Sequence, residues 1–241
     1  YTLYSGMKTY RNLCLYSAAV FCGGTASWQP PEPVCWAGIY HPDLEGLCER
    51  NLSRYERQFC RPGRLSAGIL FYRDEWIWGD LAYQTALIRA IEKAGMNAVC
   101  VFTNGMPDES SGAPPLRQVF HDFFTHEGRP AVDVIINTMK FSLTASGSIS
   151  IQEITRLGIP LLQAYTLLSP EEEWRKSAEG MNAMEVSISV SLPEFDGVLH
   201  GVPVAAKHSH SGGGVEYVPM KERISLMVRK ARKWALLRRK E

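Results

Sequence analysis

The sequence predicts an α/β fold: a parallel sheet of about five strands with helices on both faces, preceded by a short helical segment. Two observations carry this. From residue 67 onward, short apolar runs alternate with helical patterns four times, as strand–helix–strand units require. The first of these runs, 67–72, is apolar throughout instead of alternating, as a strand covered on both faces must be. The chain has 241 residues, 45% hydrophobic and 21% charged. That is ordinary globular composition, long enough to bury a core without disulfide or metal staples.

Each element has its own signal. Residues 1–22 place Tyr4, Leu13, Tyr16, Val20 and Phe21 at mixed three- and four-residue steps, a helical pattern that Gly23-Gly24 ends. Trp28, Pro30, Pro31 and Pro33 make 25–38 an extended loop, and Pro42-Asp43 is a turn. Residues 44–61 read as a polar helix. Pro62-Gly63 is the expected boundary between a helical and loop segment, 1–62, and an α/β domain, 63–241. Strands are expected at 67–72, 97–102, 132–137, 159–164 and 201–206. Between them, 81–94 is an amphipathic helix stopped by Gly95, and 116–124 and 149–157 are two more. A short helix with proline in its first turn spans 170–177, and a long basic helix spans 219–240. Residues 183–192 alternate Val186, Ile188 and Val190 like a strand yet occupy a helix slot. The strand order is flavodoxin-like or Rossmann-like; local pattern does not choose.

Charge and cysteines exclude several classes. A net charge of +1 from 26 basic and 25 acidic residues gives no reason to expect nucleic acid. Residues 221–241 carry nine Lys/Arg and two Glu, which reads as the solvated face of the last helix. The longest nearly apolar run, 13–22, is too short for a membrane span. Residues 1–22 lack the basic start and small-residue cleavage site of a signal peptide, so a cytoplasmic location is expected. Cysteines 14, 22, 35, 48, 60 and 100 include no C-x-x-C pair. Buried free thiols are expected, with no zinc or iron–sulfur site. A chain starting at Tyr1 and ending inside a helical pattern is expected to be part of a longer polypeptide.

Ligands of such sheets sit beyond the carboxyl ends of the strands, here 73–80, 103–113, 138–147 and 165–169. No glycine-rich dinucleotide loop follows the first strand. Arg-Asp-Glu-Trp-Ile-Trp-Gly at 73–79 is too bulky for a pyrophosphate to reach the amides. There is no Walker A lysine loop either. Trp76 and Trp78 could stack on a flat ligand; the plainer alternative is a hydrophobic lid over the core. Arg73 could bind a carboxylate in bidentate fashion, or pair with Asp74, Glu75 or Asp80. His41, in a Tyr-His-Pro-Asp turn, and Asn137, which ends the third strand, complete the candidate ligand-binding set. No metal site is expected. The nearest approach is His208 with His210, which only Glu216 could extend; a surface loop is the simpler reading. Residues 144–150 offer hydroxyls to an anion, or a helix N-cap at Ser148. Glu194 and Asp196 stand two apart, close enough to act together, but in a turn sequence. Ser66, Ser110 and Ser142 lack the G-x-S-x-G setting of a nucleophile. No catalytic residue is assigned.

Six segments in order carry a resemblance: Gly38-Ile-Tyr-His-Pro-Asp43; Gly68-Ile-Leu-Phe-Tyr-Arg73; Val132-Asp-Val-Ile-Ile-Asn137 with Phe141-Ser-Leu143; Leu157-Gly-Ile-Pro-Leu-Leu-Gln163; Leu192-Pro-Glu-Phe-Asp-Gly197; and Val218-Pro219 with a helix ending in Trp234-Ala-Leu-Leu-Arg-Arg239. Together they resemble the large subunits of the tetrapyrrole metal chelatases, cobaltochelatase and magnesium chelatase, over about residues 4–239. The resemblance implies a very long chain that binds a porphyrin or corrin and receives cobalt or magnesium as substrate metal. It implies that ATP and Mg are used by separate AAA+ ATPase subunits, with no cofactor in this fragment. The family's His-Gly-Thr segment is absent here, which implies a fragment inactive alone. Where the family reads Tyr-Gly-Gly-x-Glu-Asn, this chain has Tyr4-Ser5-Gly6-Met7-Lys8-Thr9. That departure leaves two alternatives: a tetrapyrrole-binding or scaffolding module without chelation, or a flavodoxin-like domain for a small anion.

Overall fold

A computed structural model describes residues 1, 6–209 and 214–240. Helix α1 (Met7–Phe21) leads through a proline-rich stretch to β1 (Ala37–Tyr40) and α2 (Leu52–Phe59). Strand β2 (Ser66–Tyr72) runs directly into α3 (Arg73–Trp78), and α4 (Ala82–Lys93) returns to β3 (Asn97–Thr103). Helix α5 (Leu116–Phe124) is followed by a small hairpin, β4 (Thr125–His126) and β5 (Arg129–Pro130), and then β6 (Val134–Asn137). Helix α6 (Ile151–Leu157) precedes β7 (Leu161–Leu167). Next come α7 (Glu171–Lys176), α8 (Ala183–Val186), a π-helical turn (Ser187–Ser191) and α9 (Leu192–Glu194). Strands β8 (Leu199–Ser209) and β9 (Val215–Pro219) precede the closing α10 (Lys221–Arg238).

The sheet has seven strands in the order β1-β3-β2-β6-β7-β8-β9. The five inner strands are parallel, and β1 and β9 are antiparallel to their neighbours. Counted along the chain, the parallel strands lie in the order 2-1-3-4-5, the flavodoxin-like arrangement.

Period-two alternation divides the core into two layers. Ile69 and Phe71 of β2, with Cys100 and Phe102 of β3, face Leu87 and Ile91 of α4 and Met227 and Ala231 of α10. Leu70, Val99, Val101 and Ile135 face the opposite way, against Tyr55 of α2, Phe120 and Phe124 of α5 and Ile154 of α6. Each such large apolar side chain contributes about 1.5–3 kcal/mol of burial. Packing on the second face is tight: a Cβ on Gly68 would lie 2.7 Å from Phe124 Cε1. The end of α10 is tied to the start of β6. The Arg239 Nε and Nη2 groups each donate to the buried Asp133 carboxylate at 2.9 Å.

Several expectations need correction. The sheet crosses the turn at Pro62-Gly63, because β1 pairs with β3 in the register Ile39–Val101. Four residues are too few to show a period, and β1 owes its extension to that partner. The segment 183–192 is helical, since Val190 finds its apolar partner in Tyr165 of β7 without entering the sheet. The N-cap of α6 is Ser150, not Ser148: Ser150 Oγ accepts from the Glu153 amide, and the Glu153 carboxylate takes the Ser150 amide in return. His208 is not in a surface loop. It lies in β8 opposite Glu216, while His210 falls outside the described residues. All six cysteines are free as expected, but Cys14 and Cys22 are exposed and only Cys100 is buried. No helix among the described residues is long and apolar enough to cross a membrane.

Candidate functional site

The chain leaves β2 for β3 on one side and later enters β6 on the other. The connections at the carboxyl ends of β2 and β6 therefore diverge, which in folds of this class marks the ligand-binding edge. Strand β2 delivers Glu75 there in the first turn of α3. The following turn supplies Asp80, and α4 supplies Tyr83 and Gln84. Thr138 and Lys140 follow β6, and Tyr217 comes from β9.

Glu75 is the centre of this cluster. Its Oε2 accepts from the Tyr83 hydroxyl at 2.7 Å and from Gln84 Nε2 at 2.9 Å. The Tyr83 oxygen lies 3.2 Å from Thr138 Oγ1, and that hydroxyl donates to the Leu70 carbonyl at 3.0 Å. Burial pushes the Glu75 carboxyl up to about 7, and the nearby Asp80 charge adds to it. The Tyr83 and Gln84 hydrogen bonds and the Lys140 charge oppose the rise without cancelling it. Asp80 is also raised, first by burial and then by Glu216, although it accepts from the Tyr217 amide. Burial lowers the Lys140 ammonium, with Lys207 adding to the fall and Glu185 and Glu75 opposing it. The same ammonium sits 5.8 Å from the centre of the Tyr217 ring, a cation–π contact.

The backbone around Lys140 is fixed from three sides. Its amide donates to the Tyr72 hydroxyl at 3.0 Å, and that hydroxyl donates to its carbonyl at 2.9 Å. Phe141 follows at φ 66°, a left-handed conformation uncommon for a bulky residue, and its amide donates to the Ile188 carbonyl. Asp196 anchors the next residues. Buried after α9, it accepts from Ser142 Oγ and Thr144 Oγ1 at 2.7 Å and from the Leu143 amide. It is thus a structural corner, and Glu194 is exposed and takes no part. The result is a preorganised polar cluster around a carboxyl that burial pushes up to about 7. Such a group can act as a general acid or base.

The residues expected to bind ligand are placed differently. Arg73 is 2% exposed; its Nε donates to the Cys35 carbonyl and its guanidinium lies 4.1 Å from the Trp36 ring centre. Trp76 is 8% exposed, stacked on Phe102 at 4.0 Å, with its indole N–H on the Leu47 carbonyl. It is core. Trp78 is 47% exposed and stacks on Tyr10 of α1. The buried His41 has Nε2 at 3.1 Å from Glu92 Oε1 and accepts the Asp43 amide on Nδ1, so it pins its own turn to α4. Asn137 is fully buried. It donates to Gln163 Oε1 and accepts from the Met139 amide, and so positions the 138–140 turn from beneath. Lys8 makes an exposed ion pair with Glu32 at the rim of an apolar groove between α1 and α3.

Sequence reading passes over Glu75, Tyr83, Thr138 and Lys140. One signal is available: Tyr83 and Gln84 are polar positions on the apolar stripe of α4, and buried polar groups require partners. Among the described residues, no three His, Cys, Asp or Glu side chains converge as a metal site.

Comparison with known proteins agrees with this architecture. The chain is 29% identical over 242 residues to the aerobic cobaltochelatase subunit CobN of a Sinorhizobium species, covering 95% of this chain and 18% of that protein. It is 26% identical over 234 residues to the chloroplastic magnesium-chelatase subunit ChlH of Oryza sativa subsp. japonica, covering 90% of this chain and 16% of that one. The structure of the catalytic subunit of cobaltochelatase from Mycobacterium tuberculosis superposes with a TM-score of 0.72 over 98% of this chain and 19% of the other, at 23% identity. That likeness establishes a shared fold. The chain spans less than a fifth of the length of these three relatives. A model of the CobN/Magnesium Chelatase family matches residues 1–241 in full, so the chain belongs to that family.

Proposed function

We propose that this chain is part of the large, tetrapyrrole-binding subunit of an ATP-dependent metal chelatase. The whole protein would insert cobalt or magnesium into a corrin or porphyrin ring. The observation that supports this best is the family match across every residue of the chain. In this reading ATP is hydrolysed by separate AAA+ subunits, as the family resemblance implies. In this reading the switch-point edge of the sheet is the part of the chain that faces the ring, since open α/β sheets bind ligands there. Lys140 has the chemistry to receive a ring carboxylate, and the exposed Trp78 is the indole available to a flat apolar face. The fragment alone is inactive in this reading, and its location is cytoplasmic.

The test uses the full-length protein with its ATPase partners, ATP, and cobalt or magnesium with a metal-free corrin or porphyrin. Ring absorbance should change as the metal enters. If none of the metal–ring combinations reacts under conditions where the partners hydrolyse ATP, chelation is the wrong activity. Saturable quenching of tryptophan fluorescence by the same rings, without insertion, would instead favour a binding module, the reading that Lys8 and Thr9 leave open.

A further inference from the structure

Val34 and Leu47 line the apolar groove between α1 and α3, and each precedes a cysteine. Those cysteines, Cys35 and Cys48, are 13 residues apart in the chain, yet their sulfurs lie 3.1 Å apart with no bond between them. That is inside the range of about 3–3.5 Å at which two groups are set to react. Neither residue belongs to a helix or strand, and helix α3 holds both in place. Arg73 Nε donates to the Cys35 carbonyl at 2.8 Å, and the Trp76 indole N–H donates to the Leu47 carbonyl at 3.1 Å. On the other side of Cys48, Glu49 exchanges two backbone hydrogen bonds with Ile39 of β1, at 2.8 and 3.0 Å. Gly38 leaves the space that Cys48 fills: a Cβ there would lie 3.2 Å from Cys48 Sγ. The two sulfurs are thus brought together by contacts that need no disulfide. Both residues are half-buried, within reach of a small solute.

We propose that Cys35 and Cys48 form a reversible disulfide, closed by exchange with a low-molecular-weight disulfide. The order of attack follows from the geometry. The Cys48 S–H group donates to the Cys35 sulfur, and the Arg73 guanidinium attracts negative charge on Cys35. Burial pushes the Cys48 thiol up to about 12, and its hydrogen bond with Cys35 adds to the rise, so Cys48 keeps its proton at the outset. Cys35 gives its proton to water and attacks the small disulfide. A bond forms to the Cys35 sulfur, the S–S bond of the small disulfide breaks, and one small thiolate leaves and takes a proton from water. The Cys48 sulfur then attacks the Cys35 sulfur of the mixed disulfide. The second small thiolate leaves with the bonding electron pair and takes the Cys48 proton. Two protein thiols are oxidised, and one small disulfide is reduced to two thiols. In a reducing compartment the pair rests as the dithiol, and it closes as the disulfide share of the thiol pool rises. Closure ties together the segments that carry Val34 and Leu47 and so fixes that wall of the groove.

The experiment uses the full-length protein, equilibrated with oxidised and reduced glutathione at stepped ratios, quenched in acid and alkylated. A protease specific for glutamate cuts at Glu45, between the two cysteines, so only a disulfide keeps the Cys35 and Cys48 peptides together. The joined pair should appear in the mass spectrum as the oxidised share rises, and dithiothreitol should reverse it. In Cys48→Ser, Cys35 should stop at the mixed disulfide with glutathione. That species should last at least about a hundredfold longer than in the wild type, where the second attack comes from a group already at near-attack distance. Recovery of both peptides alkylated after incubation in oxidised glutathione overturns the proposal. So does a Cys48 joined to Cys14, Cys22 or Cys60 as often as to Cys35, which would show exchange without a preformed pair. A mixed disulfide as persistent in the wild type as in Cys48→Ser overturns it as well. Should Cys48→Ser fail to fold, the wild-type peptide map alone carries the decision.

Discussion

Replacing Glu75 by glutamine should stabilise the 241-residue chain above neutral pH. Burial raises the carboxyl from 4.5 to about 7 in the folded state, so the folded chain holds a proton that the unfolded chain has already lost. Between these values the native state binds more protons, and stability falls as pH rises. The fall is complete once pH exceeds the folded value. At about 1.36 kcal/mol for each step of one pH, the total cost is about 3 kcal/mol. The amide side chain would keep an acceptor for Tyr83 and have no charge to desolvate. The variant should therefore match the wild type near pH 4 and exceed it by about 2–3 kcal/mol at about pH 8. With a urea slope of about 2–3 kcal/mol/M for a chain this size, the midpoint should move up by about 1 M at the higher pH. Urea titrations at the two pH values, followed by circular dichroism, measure this. A variant that is equally or less stable at the higher pH, or whose difference from wild type does not change with pH, would refute the account of Glu75 as a desolvated carboxyl.

Two further outcomes follow from the packing. Asp196→Ala should cost about 3 kcal/mol, because it leaves the buried Leu143 amide and two hydroxyls without their charged acceptor; a thermal midpoint within about one degree of wild type would show the corner to be dispensable. Trp76→Ala should cost about 3–5 kcal/mol and Trp78→Ala under about 1 kcal/mol, since only the first is core. The opposite ranking in denaturant would mean that α3 is rotated from the orientation described.

The central elements are legible in the sequence because their signals are local. Burial on both faces writes itself as an uninterrupted apolar run, which marks β2, β3 and β6, and one-sided burial writes itself as the stripe of α4. The edges are not legible. Strand β1 has four residues, and β9 is mostly exposed, with too little apolar pattern to betray a strand. Trp76 and Trp78, two residues apart, look equivalent in sequence, and the helical turn of α3 sends one into the core and leaves the other in solvent.

By itself the sequence determined the fold class, the family and the carboxyl-edge segments in which a site would lie. Only the tertiary structure decided the strand order and the site itself. Glu75, Tyr83, Thr138 and Tyr217 come from separate elements and meet only when β6 lies beside β2 and β9 closes the sheet edge. The chemistry of Glu75 has the same origin. A glutamate in an extended chain is an ordinary acid, and packing that removes water from its carboxyl while placing a second carboxylate nearby raises its affinity for a proton.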